Sequence, residues 1–228
     1  MKTPSPETYP LIIGTLTITY ILLVTTAVVI FIEALRQGAS NFISHMMNLE
    51  TAISVVATYF YSLFMDEFTI AESTNRPIDW EKVTAYRYID WSITTPIMLL
   101  VLMLFMANNI KLPVKVGTFA LVVILNYIML LFGYLGERGT MDRSTGVIGG
   151  FMAFGLMYYI IYAKFLKPKY SFANSVLFWF YAIVWSFYGI VYMIDEGYKV
   201  AILNILDLIS KCFVGLGLWA YYTRILAL

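Results

Sequence analysis

Seven apolar runs, at about 9–35, 48–66, 83–107, 113–136, 145–166, 172–194 and 199–224, leave this 228-residue chain little choice of fold. Each is close to the twenty or so residues that a helix needs to cross about 30 Å of hydrocarbon. The runs are continuous and lack the alternation of a membrane barrel, so strands are a poor alternative. The expectation is an all-α integral membrane protein: a multi-pass bundle of seven transmembrane helices in a lipid bilayer, forming a single domain over residues 1–228. The first run is too long for a signal-peptide core, has only Lys2 before it and shows no clear small-residue cleavage site, so it reads as a retained helix.

Composition narrows the function. The chain is 61% hydrophobic and 13% charged with a net charge of +1, which provides no basic field for nucleic acid. Its one cysteine, Cys212, excludes an intrachain disulfide, and its one histidine, His45, has no Cys or His companions, so no metal site is expected. One set of alternate loops holds Arg36, Lys111, Lys115, Lys164, Lys167, Lys169 and Arg224; the opposite set holds Asp66, Glu67, Glu72, Asp79, Glu81, Glu137, Asp142, Asp195 and Glu196. By the positive-inside rule the first set faces the cytoplasm, with the N-terminus extracellular and the C-terminus cytoplasmic. Residues 36–48 place Phe42, Ile43, Met46 and Met47 at helical spacing, which suits either a short amphipathic segment at the cytoplasmic interface or an ordered loop. Residues 66–82 read as a long acidic connection with room for a hairpin or cap.

Charges within spans are costly, about 2.5 to 3.5 kcal/mol each on insertion scales, so each needs a partner or a task. This chain carries Glu50, Arg87, Asp90, Asp207 and Lys211. Asp207 and Lys211 are four apart on one helix face, and Arg87 and Asp90 share a face of the third span at a similar depth. Two cations and two anions form a nearly neutral cluster. It either staples two helices or serves a reactive lysine: a neutral amine in an apolar pocket condenses with an aldehyde, and the protonated imine then needs carboxylate counterions. Trp91, Trp185, Tyr188, Tyr192, Met129 and Met157 suit the walls of an elongated apolar ligand, although an aromatic of this kind taken singly is more often ordinary bundle core.

These residues together resemble the microbial rhodopsins, seven-helix retinal proteins, over essentially the whole chain. The run RYIDWSITTP carries the resemblance at Arg87, Tyr88, Asp90, Trp91, Thr94, Thr95 and Pro96, and DLISK carries it at Asp207 and Lys211. WSFYGIVY is similar to the family's sixth-helix lining through Trp185, Tyr188 and Tyr192, with Gly189 in place of a proline. Asn126, Met129 and Gly133 match the ring-contacting spacing of the fourth helix, Asn126 at the position that bonds toward Thr95; Tyr59 matches the tyrosine near the counterions. The resemblance implies all-trans-retinal attached as a protonated Schiff base to Lys211, with Asp90 as proton acceptor, Asp207 as second counterion and Arg87 one turn outward. It also implies a homo-oligomer, and it makes the chain a photoreceptor and not an enzyme.

Departures from the pattern shape the functional expectation. The acid that reprotonates the imine in proton pumps of the family lies eleven residues after the acceptor, and here that position is Val101. Gly197 and Lys199 stand where the two release glutamates of archaeal pumps would be. Glu50 is the remaining intramembrane acid, either a substitute proton donor, a polar constriction in a cation path, or an interfacial glutamate. Thr15, Thr17 and Thr19 either line a path or bond to their own backbone. The amphipathic first connection and Glu50 most resemble the rhodopsins of giant algal viruses. On these grounds the sequence favours a light-gated cation channel, with a light-driven outward proton pump using Glu50, or a signalling photosensor, as alternatives.

Overall fold

The computed structural model describes residues 8–38, 40–194 and 196–226. Lys2 and Asp195 lie outside these, as does the side chain of Glu196. Every regular element among the described residues is helical: α1 Thr8–Ala34, α2 Asn41–Ser73, α3 Trp80–Ile110, α4 Val116–Glu137, α5 Arg143–Leu166, α6 Phe172–Val191 and α7 Gly197–Tyr222. All but α2 are long and apolar enough to cross a membrane by length and composition. At 33 residues α2 is also long enough. Its polar residues lower its mean hydropathy, and several of them turn inward.

Two connections differ from expectation. The amphipathic segment at 36–48 is not a separate interfacial piece: from Asn41 it is the first two turns of α2. Ser40 caps that helix by accepting from Ile43 N at 3.3 Å, and Met46 and Met47 are fully buried. The acidic connection at 66–82 shrinks to the turn between Ser73 and Trp80, because α2 runs on past the apolar segment. The reason is Glu67, whose side chain is fully buried yet accepts from Arg76 at 2.8 and 3.1 Å, from Lys82 Nζ at 3.2 Å and from Asp79 N at 3.0 Å. One carboxylate thus gathers the turn and the start of α3. Asn75 closes α2 with φ 50°, and Arg76 N donates to Ala71 O at 3.0 Å.

This hub gives a pH prediction. The Arg76 hydrogen bonds, foremost, with those of Asp79 N and Lys82, hold the Glu67 carboxyl well below the ordinary carboxylate range, at about 2. A depressed value means that the contribution to stability is complete above about pH 5 and is lost as pH falls toward 2. Arg76 and Lys82 are part-exposed, so Glu67→Gln costs only about 1 to 2 kcal/mol at neutral pH. Thermal melts from pH 7 to pH 2.5 test it: the gap between wild type and variant closes with acid, and a gap independent of pH refutes the assignment.

Two local irregularities bear on the site. Pro96 stands inside α3 and cannot donate to the carbonyl four residues back; Tyr127 Oη of α4 donates to that Ser92 oxygen at 3.1 Å instead. In α7 the helical bonding widens to π over Leu208–Phe213 and returns to α at Val214, so Lys211 lies in the widened turn. Such π segments are rare and tend to occur at functional sites.

The chain divides into two compact units, residues 1–90 with 190–227, and residues 91–189. The first holds α1, α2, the outer part of α3 and α7; its core includes Ile12, Leu16, Leu23, Ala57, Phe60, Tyr61, Phe64, Phe68 and Val200. The second holds the rest of α3 with α4, α5 and almost all of α6. There the ring of Phe132 occupies the space over Gly149, and that of Phe151 the space over Gly189, where an added methyl would lie 2.4 and 2.6 Å from the ring carbons.

Candidate functional site

The charges that the sequence placed at one depth meet within the first unit. Lys211 Nζ donates to Asp90 Oδ2 at 2.6 Å and lies 3.5 Å from Asp207 Oδ1. Arg87 Nη1 donates to Asp207 Oδ2 at 3.1 Å, and its Cζ stands 4.9 Å from the centre of the Phe64 ring. All four charged side chains are almost completely buried. Two anions and two cations this close offset much of one another's desolvation cost, which no single one of them could bear in hydrocarbon.

Two members of this cluster were not legible as such. Tyr61 Oη donates to Asp207 Oδ2 at 2.9 Å, so Tyr61 is the tyrosine beside the counterions. Tyr59, expected in that role, is 59% exposed on the opposite side of α2. Helical phase explains the correction. Counting from Glu50, residues 4, 7, 11 and 14 further on are Ser54, Ala57, Tyr61 and Phe64, all buried on one stripe, whereas Tyr59 is half a turn away. The second addition is Asn204, one turn before Asp207 and fully buried, whose Oδ1 accepts from Arg87 Nη2 at 2.8 Å. Among the first-helix threonines, Thr19 donates to Asn204 O at 3.1 Å, and Thr15 accepts from Asn204 Nδ2 at 3.2 Å while donating to its own backbone.

Glu50 is no interfacial glutamate. It is 1% exposed, and its Oε1 is buried without a hydrogen-bond partner. A methyl added at Gly215 of α7 would lie 3.0 Å from Glu50 Oε2 and 2.8 Å from Ile30 Cδ1, so a larger residue there would push the ends of those two side chains aside. Ser54 Oγ is likewise buried and unpartnered. Among the described residues no ion pair reaches this carboxyl, and an unpaired carboxylate out of water is costly.

The second unit carries the aromatic frame. Trp91 meets Tyr188 edge to face with centroids 5.4 Å apart, and Trp185 lies 6.2 Å from Tyr158 and 5.8 Å from Tyr181. Met157 is fully buried, Thr94 and Thr95 are buried, and Tyr88 of the first unit, like Met129 and Gly133 here, is half-buried. Asn126 Nδ2 donates to Thr95 Oγ1 at 2.8 Å, as expected from its position, and Thr95 in turn donates to Trp91 O at 2.6 Å. Val101, where a donor acid would stand, is fully buried. Because α6 ends at Val191, Tyr192 is not a helical residue of α6 but a buried residue of the turn after it, grouped with the first unit.

Residues 12–225 match the family model described as bacteriorhodopsin-like protein. The crystal structure of viral rhodopsin OLPVRII superposes with a TM-score of 0.86 at 38% identity, covering 95% of this chain and 100% of that one. The proton-pumping rhodopsin AR2 from the marine alga Acetabularia acetabulum shares the fold, with a TM-score of 0.76 at 21% identity over 99% of each chain. The green-light absorbing proteorhodopsin of Gamma-proteobacterium EBAC31A08 is 28% identical over 151 residues, and that alignment spans 60% of each protein.

Proposed function

Because the chain belongs to the bacteriorhodopsin-like family of integral, multi-pass membrane proteins with a retinal chromophore, we propose that it moves protons outward across its membrane in the light, with Glu50 as the internal donor. The observation that carries this reading is the burial of Glu50: a fully buried carboxyl with no ion pair among the described residues suits a proton store.

The residues fit retinal, for a buried lysine amine flanked by carboxylate oxygens at 2.6 and 3.5 Å suits a nitrogen that stays positively charged after attachment. Lys211 would hold the group covalently; Trp91, Tyr188, Trp185, Met157, Met129, Gly133, Thr94, Thr95, Asn126, Tyr88 and Tyr192 are its proposed lining. When bound, retinal supplies light absorption and the change of shape that starts the cycle. Asp90, already hydrogen-bonded to the Lys211 nitrogen, is placed to receive its proton. Asp207 is held as the permanent anion by donors from Tyr61 and Arg87, so it keeps its charge while Asp90 loses its own. Arg87 loses part of its electrostatic hold when Asp90 is neutralised and moves outward. Glu50 then returns a proton toward Lys211 from the other side, doing from α2 what Val101 cannot do from α3.

A light-gated cation channel, the reading favoured by the sequence, requires a wet path past Glu50. The fully buried Ile30, Met46, Met47 and Ile53 do not favour one. Voltage clamp under illumination separates the readings. The expected result is a photocurrent that stays outward against an opposing proton gradient; a current reversing with the cation gradient means a channel, and no current with an intact light cycle means a sensor.

A further inference from the structure

Asn204 has no role in the residue pattern by which the chain resembles its family, yet it joins four helices. Its Oδ1 accepts from Arg87 Nη2 of α3 at 2.8 Å and lies 3.4 Å from Tyr61 Oη of α2; its Nδ2 donates to Thr15 of α1 at 3.2 Å; its backbone oxygen accepts from Thr19 at 3.1 Å. The amide cannot be turned round. A guanidinium only donates, so the oxygen must face Arg87, and the NH2 is then spent on Thr15, whose own proton goes to Leu11 O at 2.9 Å or Ile12 O at 3.0 Å. Arg87 is thereby held in a fork with two unlike tines, a carboxylate on Nη1 and a neutral amide on Nη2.

We infer that Asn204 is a positioning residue that holds the Arg87 guanidinium inward against Asp207 in the dark and sets how fast Arg87 departs once Asp90 takes up a proton; the second half rests on the proton-transfer reading above. The unlike tines give the reason. A neutral amide offers a guanidinium a charge-assisted hydrogen bond but not the full ion-pair attraction of a carboxylate, so it orients Arg87 without trapping it. The groups facing Arg87 from the elements around it are Asp207, Lys211, Tyr61 and Asp90. Transfer of the Lys211 proton to Asp90 neutralises both groups and removes the pull of Asp90 on Arg87; of the two acceptors Asp207 and Asn204, Asn204 is then the weaker anchor.

The test uses the retinal-reconstituted protein in lipid bilayers, with Asn204→Leu, Asn204→Asp and Thr15→Val, all close in shape to the residues they replace. Solid-state NMR of 15N-arginine-labelled protein in the dark reads the Arg87 side chain directly. Wild type gives two distinct, rigid Nη signals, one per acceptor; Leu leaves Nη2 without its acceptor and mobile, Asp gives two rigid signals that are more alike because both acceptors are carboxylates, and Thr15→Val falls between wild type and Leu. Flash-induced proton release, followed with a pH dye, is about tenfold faster in Leu and about tenfold slower in Asp. A purely structural role would move both variants the same way. Unchanged Arg87 signals in Leu overturn the anchoring, and equal release rates in Leu and Asp overturn the rate control. If wild type releases no proton the pumping reading falls, and the dark spectra still decide whether Asn204 anchors Arg87.

Discussion

Lys211→Ala protein purified from cells supplied with retinal is colourless, and it unfolds with a loss of about 3 to 5 kcal/mol relative to the wild-type apoprotein. Both results come from one nitrogen. Lys211 is the cation that Asp90 faces at 2.6 Å, and its removal takes that partner from buried Asp90 while Arg87 stays paired with Asp207. Removing one partner of a buried pair costs far more than the pair contributes, since the remaining charge keeps its desolvation penalty. The double variant Lys211→Ala, Asp90→Asn removes the matching anion and regains most of the stability while staying colourless. A coloured single variant would end the retinal assignment. A stable, colourless single variant would show that the carboxylates do not depend on the lysine, and with that the counterion geometry falls.

The contrast between what was and was not legible follows from the range of each interaction. Asp207 and Lys211 announce themselves because hydrocarbon makes any charge conspicuous and a four-residue spacing fixes their common face. The Asn126 to Thr95 bond was legible through the resemblance alone, since nothing local distinguishes Asn126 from other buried amides. Tyr61 was within reach of periodicity: the stripe from Glu50 through Ser54 and Ala57 leads to it, and matching by position to Tyr59 missed by two residues what the helical phase decides. Asn204 was not legible, because its partners are 117, 143 and 189 residues away and asparagine carries no charge to call attention to it. The length of α2 was hidden for a different reason. Glu67 reads as a polar loop residue until Arg76, Lys82 and Asp79 N fold over it, and only then does a helix through residue 73 become cheaper than a loop.

Glu50→Gln lengthens the light cycle about a hundredfold and makes its final step depend on pH, while leaving stability within about 0.5 kcal/mol of wild type. The stability half follows from the surroundings: Glu50 has no ion pair, its Oε1 accepts nothing, and glutamine fills the same space beside Gly215. The kinetic half follows from proton supply. An internal donor returns its proton at a rate set by the protein, so the wild-type decay is nearly flat between pH 6 and pH 8. Without that donor the proton must come from bulk water, where each unit of pH removes nine-tenths of the supply, and the decay of the variant slows about tenfold per unit. Flash spectroscopy across this range reads both slopes, and infrared difference spectra add an independent check, since the carboxylic C=O band assigned to Glu50 disappears in the variant. A variant that recovers at the wild-type rate with a flat pH profile removes Glu50 from the proton path. The channel reading predicts a different separation: there the light cycle is unaltered and the conductance changes, because a carboxyl lining a passage filters ions without returning a proton to Lys211.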